Sequence, residues 1–201
     1  MGKGRRKPVA STTLSRSIRR LQRVFVDLSG PRTMASSEGA LYIMIVKDDF
    51  SRYAWTYHLR QKSDAAAAFK RFLADVRNHG TPSLVECVRS DNGGEFAGRA
   101  FRDLCDERGI RQEFTTPDTP KLNGVAERGL GLIQDAAAAA MFEAPRLFPD
   151  IQLAAGTGMW AEACVWACDA FNKLATTANP GDKSPHELFL GPCRRSPCPH
   201  F

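Results

Sequence analysis

The chain has 201 residues and a mass of 22.1 kDa, a size that suits one globular domain. It is 43% hydrophobic, 9% aromatic and 25% charged, which excludes a disordered chain and a fibrous repeat, and no apolar stretch approaches the roughly 18 residues of a membrane-spanning helix. The net charge of +6 is uneven: residues 1–26 hold eight basic side chains and no acidic one, whereas from Asp27 onward 20 basic residues face 22 acidic ones.

Residues 1–23 therefore read as a flexible basic lead-in that either binds phosphate, with Arg19, Arg20 and Arg23 as candidates, or directs nuclear import, or equally is a solvated tail that only helps solubility. The opening MGKGRRKP has no apolar run behind it and is unlike a secretory leader. The six cysteines are too scattered for a disulfide framework and read as thiols. Val24 to Leu28 is a short β-branched and aromatic run, Leu41 to Val46 a second, and Tyr53 to Leu59 a third; their close spacing predicts an antiparallel meander. Ser63 to Asn78 predicts a helix capped by Ser63, with Phe69, Phe72, Leu73 and Val76 on one stripe. A fourth strand is expected at Leu84 to Val88, a short helix at Phe101 to Arg108, and a fifth strand at Ile110 to Thr115. Each of these two strands follows a helix, which favours parallel pairing. After a proline-containing loop, a longer helix starts at Asn123 with Ala126, Leu130, Ile133, Ala137 and Met141 on its buried side. Trp160 to Leu174 is a last amphipathic helix, with Trp160, Ala163, Val165, Ala167 and Phe171 as its expected core. The expected fold class is α/β, a five-stranded mixed sheet flanked by helices. Its domain runs over 24–175 and a loop-rich tail over 176–201.

Three carboxylates stand out. Asp27 lies inside an apolar strand, where an unpaired charge is costly. Asp91 sits where the fourth strand gives way to Gly93 and Gly94, and Glu127 lies in the first turn of the helix after the loop. Singly, each reads as a turn residue or a helix-dipole partner. Together they form a set that would repel itself unless cations sat among the oxygens, as two Mg²⁺ ions do in phosphoryl transfer. Asp48 and Asp49 read as turn residues, and Cys164 and Cys168 as small core residues. Trp55 and Trp160 read as core. Cys193, Cys198 and His200 make a poor zinc set.

The segments VFVDLSGP, VKDDFSRYAW, VRSDNGGEF, GIRQEFTTPDTPKLNGVAERGLGLI and ANPGDKSPHELFLGP resemble the integrase catalytic core of copia-type retrotransposons. That core is in the retroviral-integrase branch of the RNase H-like superfamily. The resemblance runs from about Phe25 to Pro192, and 63 residues separate Asp27 from Asp91 and 35 separate Asp91 from Glu127. It implies an RNase H-like fold and a catalytic triad of Asp27, Asp91 and Glu127 that ligates Mg²⁺ or Mn²⁺, two ions with DNA bound. It also implies DNA 3′-end processing followed by strand transfer, action on element ends and target DNA in the nucleus, and a homo-oligomer with no membrane association. Asn92, Lys121, Asn123 and Arg128 flank the triad as candidate DNA contacts, and for Asn123 a helix-capping role is an equal alternative. The chain departs from the pattern in lacking a His/Cys zinc module before the core and in carrying Gly129 and Gly131 after Arg128. The rival reading is a catalytically silent or host-adopted DNA-binding remnant on the same fold.

Overall fold

A computed structural model describes residues 16–78, 85–115, 124–149 and 158–191. Five strands, β1 (Val24–Ser29), β2 (Tyr42–Asp48), β3 (Ala54–Leu59), β4 (Cys87–Ser90) and β5 (Arg111–Phe114), form one sheet in the order β3-β2-β1-β4-β5. β1 pairs antiparallel with β2, and β2 with β3; β1 pairs parallel with β4, and β4 with β5. Both the meander and the two parallel strands agree with the sequence pattern.

Strand alternation divides the core in two. Val24, Val26, Met44 and Val46 face a cluster with Phe69 and Phe72 of α1 (Ala65–Asn78) and Phe101 of α3 (Arg99–Arg108). Phe25, Ile43 and Ile45 face the opposite cluster. There α4 (Gly124–Leu147) contributes Ala126, Leu130, Ile133 and Ala137, and α5 (Trp160–Lys173) contributes Trp160, Cys164 and Cys168. The sheet is thus sandwiched between helices.

Several expectations are corrected. The fourth strand continues past Val88 to Ser90, because Arg89 pairs in register with Glu113 on β5 and is buried as an ion pair. A charged residue inside a strand looks like its end until the partner is known. The start of α1 follows a 3-10 turn at Lys62–Asp64 whose N-cap is Gln61, with Asp64 Oδ2 accepting from Gln61 N at 3.1 Å, so Ser63 is not the cap. The short helix is preceded by α2 (Gly94–Ala97), broken from α3 at Gly98, where a Cβ would come within 2.6 Å of Gly94 O. On α5, Val165 is half exposed and the buried stripe passes through Cys164 and Cys168.

Residues on either side of the expected 24–175 span also pack against the core. Leu21 is fully buried in the first cluster, and its N–H donates to Asp48 Oδ1 at 2.8 Å. Ser17 donates through N and Oγ to Asp49 Oδ2 at 2.8 and 2.9 Å. Asp48 and Asp49 are therefore buried anchors for the incoming chain as well as turn residues. At the other end, α6 (Pro185–Leu190) places Phe189 fully buried beside Tyr53 and Trp55. Ser184 caps α6, accepting from Glu187 N at 3.1 Å while Glu187 Oε2 accepts from Ser184 N at 2.8 Å. Ser184 followed three residues later by Glu187, with Pro185 between, is a helix-start signal within the stretch read as a loop-rich tail.

Candidate active site

β1 is the central strand, and Asp27 lies on its α4-facing side, two residues beyond Phe25. Phe25 pairs with Arg89 across β1 and β4. The pairing ends there; Asp27 lies two residues further along β1, and Asp91 follows Ser90, the last residue of β4. α4 packs on β1 and β2 and carries Glu127 in its first turn.

Asp27 is partly buried, and its Oδ1 accepts from Leu28 N at 2.9 Å. Its carboxyl is pushed up to about 6: burial is the main cause, the Leu28 N–H acts against it, and the charges of Asp91, Glu127 and Glu95 raise it further. Asp91 and Glu127 are thus each within electrostatic reach of Asp27. Among the described residues they do not close into a chelating set of three or more His, Cys, Asp or Glu side chains.

Asp91 is exposed and its Oδ1 accepts from Gly93 N at 3.1 Å, forming the turn into α2. A Cβ at Gly93 would come within 3.0 Å of Asp91 Oδ1 and of Glu95 Oε2. Glycine therefore keeps the space between these two carboxylates open. Glu95 pairs with Lys62 at 3.6 Å. It was not singled out from the sequence, because a glutamate in a first helical turn is unremarkable there. Its place within SDNGGEF, four residues after Asp91, was the available signal.

The other candidates divide. Asn92 is exposed beside Asp91, and Arg128 is exposed beside Glu127 with its Nε donating to Gly124 O at 2.8 Å. Lys121 and Asn123 lie outside the described residues, as do Cys193, Cys198 and His200. The lead-in arginines are engaged within the domain. Arg19 pairs with Glu86, and Arg20 lies over the Phe189 ring at 5.8 Å. Arg23 pairs with Asp49 at 3.4 Å and Glu113 at 3.6 Å.

The donor set suits a hard divalent cation. Asp27, Asp91, Glu95 and Glu127 offer only carboxylate oxygens, the ligands Mg²⁺ and Mn²⁺ favour. Their mutual repulsion, visible at Asp27, is what a bound cation would relieve.

Comparison with known proteins agrees with this architecture. A family model described as the integrase core domain matches residues 19–120, half of the 201. The chain belongs to the integrase core domain family. It is 40% identical over 117 residues to the retrovirus-related Pol polyprotein from transposon TNT 1-94 of Nicotiana tabacum. That alignment covers 58% of this chain and 9% of the relative. It is 33% identical over 129 residues to the corresponding polyprotein from transposon RE2 of Arabidopsis thaliana, covering 64% of this chain and 8% of that one. The chain thus spans less than a tenth of these relatives. Among solved structures, the simian T-cell lymphotropic virus intasome in complex with the PP2A regulatory subunit B56 gamma matches with a TM-score of 0.65. The identity is 18%, over 93% of this chain and 60% of that one. The HTLV-2 integrase catalytic core domain in complex with magnesium (trimeric form) matches with a TM-score of 0.59 and 17% identity, over 87% and 99%. These likenesses show the RNase H-like integrase-core fold.

Proposed function

We propose that this chain is the catalytic core of a retrotransposon integrase, a polynucleotidyl transferase that trims DNA 3′ ends and joins them to target DNA. The observation that carries this reading is the carboxylate group around Asp27 on β1, whose carboxyl is pushed up first by burial and then by the charges of Asp91, Glu127 and Glu95. Two Mg²⁺ or Mn²⁺ ions held by Asp27, Asp91 and Glu127 would supply charge stabilisation for both the attacking and the leaving oxygen of an in-line displacement.

The chain's own residues prepare the site. The central strand fixes Asp27, and the Leu28 N–H orients one of its oxygens. The turn at Asp91 aims that carboxylate from the end of β4. Glu127 sits near a helix N-terminus, where negative charge is favoured. Gly93 removes the side chain that would otherwise fill the approach of a phosphodiester. Asn92 and Arg128, with Lys121 and Asn123, are the proposed DNA contacts beside the carboxylates. Arg19, Arg20 and Arg23, which the domain engages in ion pairs and a ring contact, complete the proposed DNA contacts. The same reading places the protein in the nucleus, with chromosomal DNA, as a homo-oligomer. No helix among the described residues is long and apolar enough to cross a membrane.

The test is a strand-transfer assay with Mg²⁺ and a labelled duplex end. Joined product is expected. Cutting without joining would make the chain a nuclease of the same fold, and the absence of both would favour the silent or host-adopted DNA-binding remnant.

A further inference from the structure

A cleft of about 570 Å³ opens between β2, α4, α5 and the segment after α5. Its size lies within the range of pockets that hold small ligands or a few side chains. Val125, Leu132 and Phe171 give it apolar walls, and Lys47, Arg52 and Arg128 line it with positive charge. Among the described residues no Asp or Glu lines it. Lys47 continues the α4-facing row of Ile43 and Ile45 on β2. It passes close under α4 at Gly129, where a Cβ would lie 3.0 Å from Lys47 Nζ and 3.2 Å from its Cδ. Arg52 is held in place by Asp49 at 2.9 Å, whereas Lys47 has no carboxylate within ion-pair distance among the described residues. Leu132 and Leu174 at the cleft are more than half exposed. A lysine with no carboxylate partner among the described residues, two arginines and exposed apolar surface therefore occupy one concavity.

We propose that this cleft docks a short segment of a partner protein that carries an acidic side chain next to an apolar one. The carboxylate would meet Lys47 and Arg52 in a charge-assisted contact, and the apolar side chain would cover Val125, Leu132 and Phe171. A nucleic-acid backbone matches the site less well. Phosphates are gripped by cations and polar groups on open surfaces, and a phosphodiester gains nothing from apolar walls. The docking rests on Lys47 and Arg52, and the cleft shares Arg128 with the proposed DNA contacts.

The experiment titrates the whole chain into a dye-labelled peptide of alternating Glu and Leu and follows anisotropy. Saturable binding is expected, lost when Gln replaces Glu in the peptide. Lys47→Met is expected to weaken binding at least about tenfold, a change of ~1.4 kcal/mol. The exposed change Leu132→Glu is expected to do the same, and it keeps the test sound if Lys47→Met alters the fold. A 20-base-pair duplex at equal concentration is expected not to displace the peptide. Unchanged binding by both variants overturns the proposal, and so does displacement by the duplex, which would make the cleft a nucleic-acid surface.

Discussion

A carboxylate inside an apolar strand loses hydration that the chain replaces at Asp27 with one hydrogen bond, from Leu28 N. The bound cations proposed above would supply further stabilisation. Asp27→Asn and Asp91→Asn are each expected to lower strand transfer by at least about 10³-fold, because several kcal/mol of transition-state stabilisation are lost. Circular dichroism should show the fold unchanged. Mg²⁺ should raise the Tm of the unaltered chain, by binding only the folded state, and raise that of Asp91→Asn much less. Lys47 makes a separate prediction. Burial lowers its amine to about 8, Arg52 and Arg128 push in the same direction, and the Cys168 thiol acts against them. Between about 8 and the ordinary lysine value of 10.5 the unfolded chain binds more protons, so this residue makes stability rise with pH across that window. Lys47→Met should raise stability at pH 7 by about 1–2 kcal/mol and flatten that rise, read as the difference between two denaturant series.

Along α4, two glycines that look alike in sequence differ in their surroundings. A Cβ at Gly131 meets nothing within 4 Å, so Gly131→Ala should stabilise by about 0.5–1 kcal/mol. At Gly129 the same gain is opposed by Lys47 and by Ile45 Cδ1 at 3.3 Å, and Gly129→Ala should be near neutral. On β4 and β5, burial pushes the Glu113 carboxyl up, but its bonds to Arg89, Cys87 and Arg111 outweigh this and hold it below the usual range. Its contribution is present at neutral pH and lost on acidification through that lowered value. Glu113→Gln should cost about 2 kcal/mol at pH 7 by leaving the buried Arg89 unpaired, and should remove that part of the acid sensitivity. Elements with a clean period, such as β1, β2, α1 and α4, were legible in the sequence, and Asp27 was legible as a charge out of place. The end of β4 was not, because Glu113, which neutralises Arg89, lies 24 residues further on. Nor was the face of α5, where small cysteines rather than Val165 are buried.

At the scale of the molecule, two single apolar residues decide where the domain ends. Leu21 and Phe189 lie in polar or proline-containing surroundings with no period around them, so neither is legible without the core they enter. Phe189→Ala should cost about 3–4 kcal/mol, measured by denaturant unfolding. A chain shortened to begin at residue 24 should lose several kcal/mol, having given up Leu21 and the bonds to Asp48 and Asp49. These two regions also touch each other. Arg20 donates to Phe189 O, and Arg16 bonds Ala178 O and Asn179. Polypeptide thus enters and leaves the domain through one doorway, clasped at the threshold. A pull that separates the two ends would therefore load the Arg16 and Arg20 contacts first.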